Sequence, residues 1–163
     1  MDIKPAISQT LRNYRLNADE KNVILEEDME SILPSILGNW DMILQVLDNL
    51  VGNALKFSNP SGQLRLRAYT WPDVCTVLPL ETEIPAPHCE LILPLPRLRV
   101  EVADTGYGIT PENQQRIFER FYRVENAVHT EVGTGLGLSI VRGIIEKHGG
   151  NIRMASEPDV GTT

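Results

Sequence analysis

Two asparagines and a lysine recur at helical spacing within the segment from Trp40 to Phe57. Asn49, Asn53 and Lys56 stand at positions i, i+4 and i+7, so a helix would present them on one face. Asparagine is a poor residue for a helix interior, because its side chain competes for backbone hydrogen bonds. The alignment therefore indicates a binding face, and an ordinary solvated face opposite the core is the alternative.

A carboxylate followed by two glycines comes directly after a predicted strand, in the run Asp104-Thr105-Gly106-Tyr107-Gly108. The glycines permit a tight turn and let a ligand approach the backbone closely. The Asp104 carboxylate can accept a hydrogen bond from an exocyclic amine, which contributes roughly 1.5–3 kcal/mol when one group is charged. The run therefore indicates recognition of an amine-bearing ligand, with an ordinary aspartate-containing turn as the alternative.

A glycine-rich run, GTGLGLS at residues 133–139, leads into another predicted helix. Backbone N–H groups at the positive end of a helix attract anions, so the run indicates a phosphate site. A flexible hinge is the alternative. The run matches neither G-x-x-x-x-G-K-[ST] nor a G-x-G-x-x-G that follows a strand, and the protein-kinase sequence H-R-D is absent from the chain.

Hydrophobic periodicity predicts the elements that would position these features. Helices are predicted over residues 3–14, 40–57, 110–121 and 135–148. Strands are predicted over residues 21–26, 64–69, 98–102 and 151–155, and the chain stops on a predicted turn at residues 161–163.

Length and composition exclude several classes of protein. The chain has 163 residues, of which 42% are hydrophobic, and this suits one domain with its own core. Its formal net charge of −7 argues against a nucleic-acid surface, which needs clustered basic residues. No apolar run approaches the ~20 residues that span a bilayer, and two cysteines are too few for a disulfide framework. We therefore expect a soluble domain in a reducing compartment.

The stretch from residue 72 to residue 97 contains six prolines and several acidic residues. Proline at this density opposes both helix and central strand, so we expect a long surface connection. Cys75, His88 and Cys89 lie within it, but they lack a fourth ligand and zinc-site spacing. A partner-docking or regulatory insertion is the preferred interpretation, and disorder is the alternative.

The three glycine- and asparagine-containing features, in this order, resemble the N, G1 and G2 boxes of histidine kinases. These kinases belong to the superfamily of gyrase, Hsp90, histidine kinase and MutL ATPases. The runs NLVGNALKFS, VADTGYGI, IFERFYR and GTGLGLSIVRGIIEKHGG carry the resemblance and cover most of residues 40–155. The run GTGLGLSIV and the F box at residues 118–121 point to the kinase branch, and a nearer resemblance is to the NblS-type sensor kinases of photosynthetic microbes.

This resemblance implies a role for each matching position on the first helix. Asn53 would coordinate a Mg²⁺ ion that bridges the phosphates of ATP, with Asn49 beside it. Lys56 would neutralise phosphate charge. Phe57, at a position often held by tyrosine in the family, would lie along the adenine. Asn49, Asn53 and Lys56 would thus form the catalytic face, and the cofactors implied are ATP and Mg²⁺.

The resemblance also assigns the remaining positions of the pocket. Asp104 would accept a hydrogen bond from the adenine amino group and select ATP over GTP. The residues expected to surround the nucleotide are Gly106, Gly108, Ile109, Phe121, Arg123, Gly133, Thr134, Gly135, Leu136, Gly137 and Leu138. Residues 123–134 would form a lid over ATP.

The chain lacks the acceptor histidine of the family, because nothing in it resembles H-E-[LI]-R-T-P. His88, His129 and His148 are the histidines present, and none fits that motif. The resemblance therefore implies that the γ-phosphate goes to a histidine of a separate dimerisation domain, and that a response regulator is a further partner. We expect a monomeric, cytoplasmic domain of a membrane-anchored parent kinase.

The fold implied is an α/β two-layer sandwich, in which about three helices cover one face of a mixed sheet, known as the Bergerat ATP-binding fold. We expect a single domain over residues 1–163, in which residues 1–17 form a linker helix from the preceding dimerisation domain. The family usually continues past Gly-Thr-Thr, so we also expect a truncated final strand.

Two other functions remain open at this level. One is a Ser/Thr anti-sigma-type kinase or ATPase of the same superfamily, which would use the same pocket. The other is a pseudokinase that uses the fold as a binding platform without nucleotide. Phosphate release without an acceptor would favour the ATPase, and failure to bind any nucleotide would favour the platform.

Overall fold

A computed structural model describes residues 1–71, 96–124 and 134–163 of the chain. Its helices are α1 (Lys4–Glu20), α2 (Trp40–Phe57), α3 (Pro111–Gln114) and α4 (Gly137–Lys147). Its strands are β1 (Ile24–Met29), β2 (Gln63–Trp71), β3 (Arg97–Asp104), β4 (Ser156–Glu157) and β5 (Gly161–Thr162).

The five strands form one mixed sheet in the order β1-β2-β3-β5-β4. Strand β1 runs parallel to β2, whereas the other pairings are antiparallel. Alternation along β2 separates two faces, because Leu64, Leu66 and Ala68 are buried while Arg65 and Arg67 are exposed. The predicted mixed sheet with helices packed against it is confirmed.

The core lies between the buried face of the sheet and helices α1 and α2. Ile7 and Leu11 of α1 pack with Leu47 and Val51 of α2 in the same cluster as the buried residues of β2. A smaller cluster joins α2 to α4 through Val46, Val141 and Ile144. Helix α2 is therefore the central helix, in contact with every layer of the domain.

Helix α1 is longer than the predicted helix over residues 3–14 and contributes to the core. It runs over Lys4–Glu20, with proline in its first turn, and Ala6, Ile7 and Ala18 are fully buried. That residues 1–17 also connect to a preceding dimerisation domain stays a prediction.

Three element predictions are wrong at their boundaries. Strand β1 begins at Ile24 rather than residue 21, because Asn22 has a left-handed conformation at the turn that follows α1. The helix predicted over residues 110–121 ends at Gln114 and gives way to turns, and Phe121 has a positive φ of 65°. Helix α4 begins at Gly137, because Gly135 is left-handed.

The strand predicted over residues 151–155 is absent from the described structure. Ile152 and Met154, which alternate with polar residues, line a cavity instead of entering the sheet. Strand pairing in this part of the chain begins later, with β4 and β5, which form a hairpin. Asp159 in the turn of this hairpin has a left-handed conformation. The turn predicted at residues 161–163 is accordingly replaced by strand β5.

His148 fastens the end of α4 to the beginning of α2. Its Nε2 accepts a hydrogen bond from the backbone N–H of Asn39 at 3.2 Å, so the other ring nitrogen, Nδ1, donates to the carbonyl oxygen of Ile144 at 2.7 Å. Asn39 in turn caps α2, because its side-chain oxygen accepts from the N–H of Met42 at 3.0 Å. Both ring nitrogens of His148 are thus engaged in holding the two helices together.

Two predicted segments fall outside the described ranges. The insertion at 72–97, with Cys75, His88 and Cys89, lies almost entirely in residues 72–95. The lid predicted over residues 123–134 falls mainly on residues 125–133. Within the described ranges, no helix combines the length and apolar character needed to cross a membrane.

Truncation of Ile7 to alanine should destabilise the domain, because this side chain is fully buried between α1 and α2. We expect Ile7→Ala to lower the free energy of unfolding by about 2–5 kcal/mol, as measured by urea denaturation. Leu16→Ala is the matched control, since Leu16 lies on the same helix and is 76% exposed, and it should change that free energy by less than about 0.5 kcal/mol. Equal effects of both variants would contradict the packing of α1.

Candidate functional site

A cavity of about 550 Å³ opens between α2, the end of β3 and the beginning of α4. This volume lies within the range of small-ligand and cofactor sites. The residues that the sequence predicted and that line the cavity are Asn49, Asn53, Lys56, Phe57, Asp104, Gly108, Ile109, Arg123, Thr134, Gly135, Gly137 and Leu138. Residues from three separated parts of the sequence therefore meet at one site, and their individual roles stay predictions.

The asparagines of α2 face the first residue of α4. The amide nitrogen of Asn49 donates to the carbonyl oxygen of Gln45 at 2.8 Å, which directs its amide oxygen away from that turn. A Cβ atom added to Gly137 would lie 2.6 Å from this oxygen and 3.8 Å from the amide nitrogen of Asn53. Only glycine therefore permits the positive end of α4 to approach the two side chains so closely.

The last turn of α2, which carries Lys56 and Phe57, has a hydrogen-bond donor for each of its terminal carbonyl oxygens. The Ser58 hydroxyl donates to Ala54 at 2.7 Å, and the Tyr107 N–H donates to Phe57 at 3.3 Å. The ammonium group of Lys21 donates to the carbonyls of Leu55 and Lys56 at 3.4 and 3.2 Å. A cation at the negative end of a helix also stabilises its dipole, so this turn is fixed on several sides.

Asp104 is the last residue of β3 and lines the same cavity as the first residues of α4. One carboxylate oxygen accepts from the backbone N–H of Gly106 at 2.8 Å. Burial raises the pKa of the Asp104 carboxyl above its ordinary value, although hydrogen bonds from the backbone of Gly106 and Thr162 act in the opposite direction. A partly buried carboxylate whose position is fixed in this way can accept one further hydrogen bond from a ligand.

The two glycines after Asp104 bring three backbone segments together. A Cβ atom on Gly106 would lie 2.2 Å from the carbonyl oxygen of Phe57, and one on Gly108 would lie 2.0 Å from that of Glu157. Ser58 and Gly106 also pair through an isolated β-bridge. The run after β3 is therefore packed directly against the end of α2 and against the β4–β5 hairpin.

Four predicted pocket residues do not line the cavity in the described structure. Gly106 acts through the packing described above, and Leu136 is the N-cap residue of α4. Phe121 is 73% exposed, and the aromatic residues of its segment that do line the cavity are Phe118 and Tyr122. Gly133 lies outside the described residues.

Several lining residues were missed by the sequence analysis. Tyr14 of α1 contributes to the cavity together with Asp48 and Gly52, although it belongs to a different part of the sequence from all the predicted boxes. Further lining residues that were missed include Tyr107, Arg153, Met154, Thr162 and Thr163. Glycine within the interior of α2 was the one signal for the first group, because glycine there destabilises a helix unless packing requires it.

The donor set of the site suits a hard cation only when a ligand supplies further oxygens. In the part of the chain that the structure describes, no group of three His, Cys, Asp or Glu side chains is placed to hold a metal. The amide oxygens of Asn49 and Asn53 can serve Mg²⁺, which prefers oxygen ligands and usually shares them with phosphates and water. The residues present are thus compatible with Mg²⁺ that arrives with a phosphate ligand.

Comparison with known proteins gives the same family from sequence and from structure. Residues 38–163 match the family described as histidine kinase-, DNA gyrase B-, and HSP90-like ATPase. The chain is 48% identical over 156 residues to the sensor-like histidine kinase ycf26 of Porphyra purpurea, and this covers 96% of the chain and 22% of that relative. The chain therefore spans less than a quarter of the length of this relative.

Solved structures show the same fold. The mycobacterial sensor histidine kinase MprB superposes with a TM-score of 0.74 at 25% identity, over 99% of this chain and 91% of that one. Full-length ShkA, solved in complex with AMPPNP, superposes with a TM-score of 0.73 at 31% identity, over 99% of this chain and 28% of that one. The Bergerat-type arrangement is therefore confirmed, and the chain belongs to the family of histidine kinase-, DNA gyrase B- and HSP90-like ATPases.

Proposed function

We propose that this domain binds Mg-ATP in the cavity between α2 and α4 and donates the γ-phosphate to a histidine of a separate dimerisation domain. The observation that carries the proposal is the approach of Gly137 to Asn49 and Asn53. It places the positive end of a helix beside two amide side chains, and Asp104 lines the same cavity. One end of the site thus suits phosphate and the other suits a base.

The phosphate end is built from backbone dipoles and neutral amides. Helix α4 has 11 residues, and the backbone N–H groups of its first turn have no partner within the helix. Lys56 lines the same cavity and supplies positive charge toward the phosphates. Mg²⁺ held by Asn53, with Asn49 beside it, would offset the negative charge of the phosphates.

The base end is built from Asp104 and Phe57. Asp104 accepts from an exocyclic amine, which adenine has at the position where guanine has a carbonyl oxygen. Phe57 is 43% exposed and follows Lys56, whose ammonium lies 5.3 Å from the centre of its ring. An aromatic face at this place offers a stacking surface for the base.

Phosphoryl transfer depends mainly on positioning and on stabilisation of charge. The bond from the γ-phosphorus to the ADP oxygen breaks, a bond to an imidazole nitrogen forms, and the imidazole releases its proton. His148 has both ring nitrogens engaged in hydrogen bonds, so it offers no lone pair for this reaction. Among the described residues His148 is thus unsuited as acceptor, and we propose that the acceptor comes from another domain.

The names of the relatives support a kinase that acts on histidine. The matched relative is named an uncharacterized sensor-like histidine kinase, MprB is named a sensor histidine kinase, and ShkA was solved in complex with AMPPNP. We accordingly propose a dimerisation domain of the parent chain as acceptor and a response regulator as the next recipient. ATP and both partners are cytoplasmic reactants, so we place the domain on the cytoplasmic side of a membrane-anchored parent.

Alanine at the first residue of α4 tests the proposal. The added Cβ of Gly137→Ala must displace the Asn49 side chain, so we expect the Kd for Mg-ATP in calorimetric titration to rise by roughly tenfold or more. Gly143→Ala is the matched control, because nothing lies within 4 Å of a Cβ at that position of α4. This variant should bind Mg-ATP as the wild type does.

A labelling assay with the same two variants distinguishes a kinase from an ATPase. With labelled Mg-ATP and a histidine-containing dimerisation domain supplied in trans, wild type and Gly143→Ala should label that domain, while Gly137→Ala labels it far more slowly. The ATP-binding domain incubated without the dimerisation domain should stay unlabelled. Steady phosphate release without the acceptor would favour the ATPase instead, and absence of Mg-ATP binding by the wild type would contradict the proposal.

Binding of the base should depend on pH through Asp104. The ionised carboxylate accepts the amine hydrogen bond, so protonation weakens binding. Because burial raises the pKa of Asp104, affinity should fall with decreasing pH earlier than an ordinary aspartate, with a pKa of about 3.9, would allow. Adenosine is the ligand to titrate by NMR, since it has no phosphate groups. Asp104→Asn should bind more weakly at neutral pH and lose this pH dependence, and parallel curves for the two proteins would exclude the role.

A further inference from the structure

We propose that Tyr14 of α1 is a positioning residue for nucleotide binding, because it fixes the turn of α2 that carries Asn49 and Asn53. The expected effect on nucleotide binding rests on the proposed function, whereas the contact between Tyr14 and α2 is present without any ligand. Tyr14 lies outside the part of the chain that matches the ATPase family, which begins at residue 38. It nevertheless lines the same cavity as the two asparagines.

The contact between Tyr14 and α2 is close and specific. Its hydroxyl donates to the backbone carbonyl oxygen of Asp48 at 3.1 Å. The ring lies over Gly52, where an added Cβ would be 2.9 Å from the hydroxyl oxygen and 3.4 Å from the ring carbon that bears it. The approach therefore requires the absence of a side chain at residue 52.

The three atoms nearest to a Cβ built on Gly52 all belong to Tyr14. Glycine in a helix interior costs about 1 kcal/mol relative to alanine, since it loses more backbone entropy on folding. Gly52 is flanked by Val51 and Asn53 in the middle of α2, far from either end of the helix. A residue that weakens the central helix of the domain is explained by the packing of the Tyr14 ring.

The two residues of α2 that contact Tyr14 are next in sequence to the two asparagines of the proposed phosphate end. Asp48 and Gly52 lie about one helical turn apart on α2. Asn49 directly follows Asp48, and Asn53 directly follows Gly52. A shift of the backbone at residues 48 and 52 therefore moves both amides. A Cβ atom on Gly137 would lie 2.6 Å from the amide oxygen of Asn49, so the space between this side chain and α4 is too small for even a methyl group.

Two further features support the contact between Tyr14 and α2. Ile7 and Leu11 anchor α1 in the core, about two turns and one turn before Tyr14, respectively. Burial raises the pKa of the Tyr14 hydroxyl, and the nearby Asp48 carboxylate raises it further. The hydroxyl therefore stays protonated and donates its hydrogen bond throughout the neutral range.

A double-variant cycle tests the inference with ligand. The Cβ of Gly52→Ala collides with the Tyr14 hydroxyl, so this variant should weaken Mg-ATP binding by roughly tenfold. Tyr14→Phe removes the hydroxyl and leaves an ordinary contact of 3.4 Å, so the double variant Gly52→Ala with Tyr14→Phe should recover most of the lost affinity. Adenosine, which lacks phosphates, should bind all of these proteins with the same Kd, and Gly143→Ala again serves as the control.

Three results would overturn the inference. They are unchanged Mg-ATP affinity in Gly52→Ala, an equal loss of affinity for Mg-ATP and adenosine, or failure of Tyr14→Phe to rescue. The first two mean that residue 52 does not position the asparagines, and the third means that Tyr14 is not the contact.

A measurement without nucleotide keeps this test separate from the proposed function. In the free protein, the side-chain amide NMR signals of Asn49 and Asn53 should shift in Gly52→Ala and return toward their wild-type positions in the double variant. Tyr14→Phe, which keeps the ring and its packing, should shift them by a smaller amount. Unchanged signals in both single variants would overturn the inference, even if the wild type failed to bind Mg-ATP.

Discussion

The close approach of Gly137 to Asn49 and Asn53 is the constraint on which the site depends. It requires α4 to begin at a glycine, and it requires α4 to pack along α2 rather than elsewhere on the sheet. The second requirement is met by the cluster around Val141 and by the hydrogen bond from Asn39 to His148 at the far end of the same pair of helices. The geometry at the phosphate end is thus a result of how two helices pack along their whole length.

The base end depends on a different set of contacts, centred on the last turn of α2. Its carbonyl oxygens receive hydrogen bonds from Lys21, Ser58 and Tyr107, which come from three separate segments of the chain. The hydrogen bond from Tyr107 fixes the turn after β3 against Phe57, and Asp104 begins this turn at the cavity. In the proposed binding mode one helix would relate both ends of the nucleotide, and contacts from α1 and the sheet determine where that helix lies.

The sequence was sufficient for the central helix, the long strands and the local runs that meet at the cavity, because each has strong periodicity or glycine spacing. It failed where tertiary contacts decide. Ile152 and Met154 alternate with polar residues as in a strand, but they line a cavity instead of joining the sheet. The helix predicted to reach Phe121 ends at Gln114 and is followed by turns. Tyr14 was missed because its partner Gly52 is 38 positions away in sequence, and only packing of α1 on α2 brings them together.

The measurement that tests the central claim most directly is a crystal structure of the domain with Mg²⁺ and AMPPNP. Our account predicts the phosphates at the first turn of α4, the metal on the amide oxygen of Asn53, and the adenine amine on Asp104. Phosphates bound elsewhere, or a metal without a ligand from α2, would contradict it. A nucleotide that occupies the cavity in the reverse orientation would likewise exclude the assigned roles of the two ends.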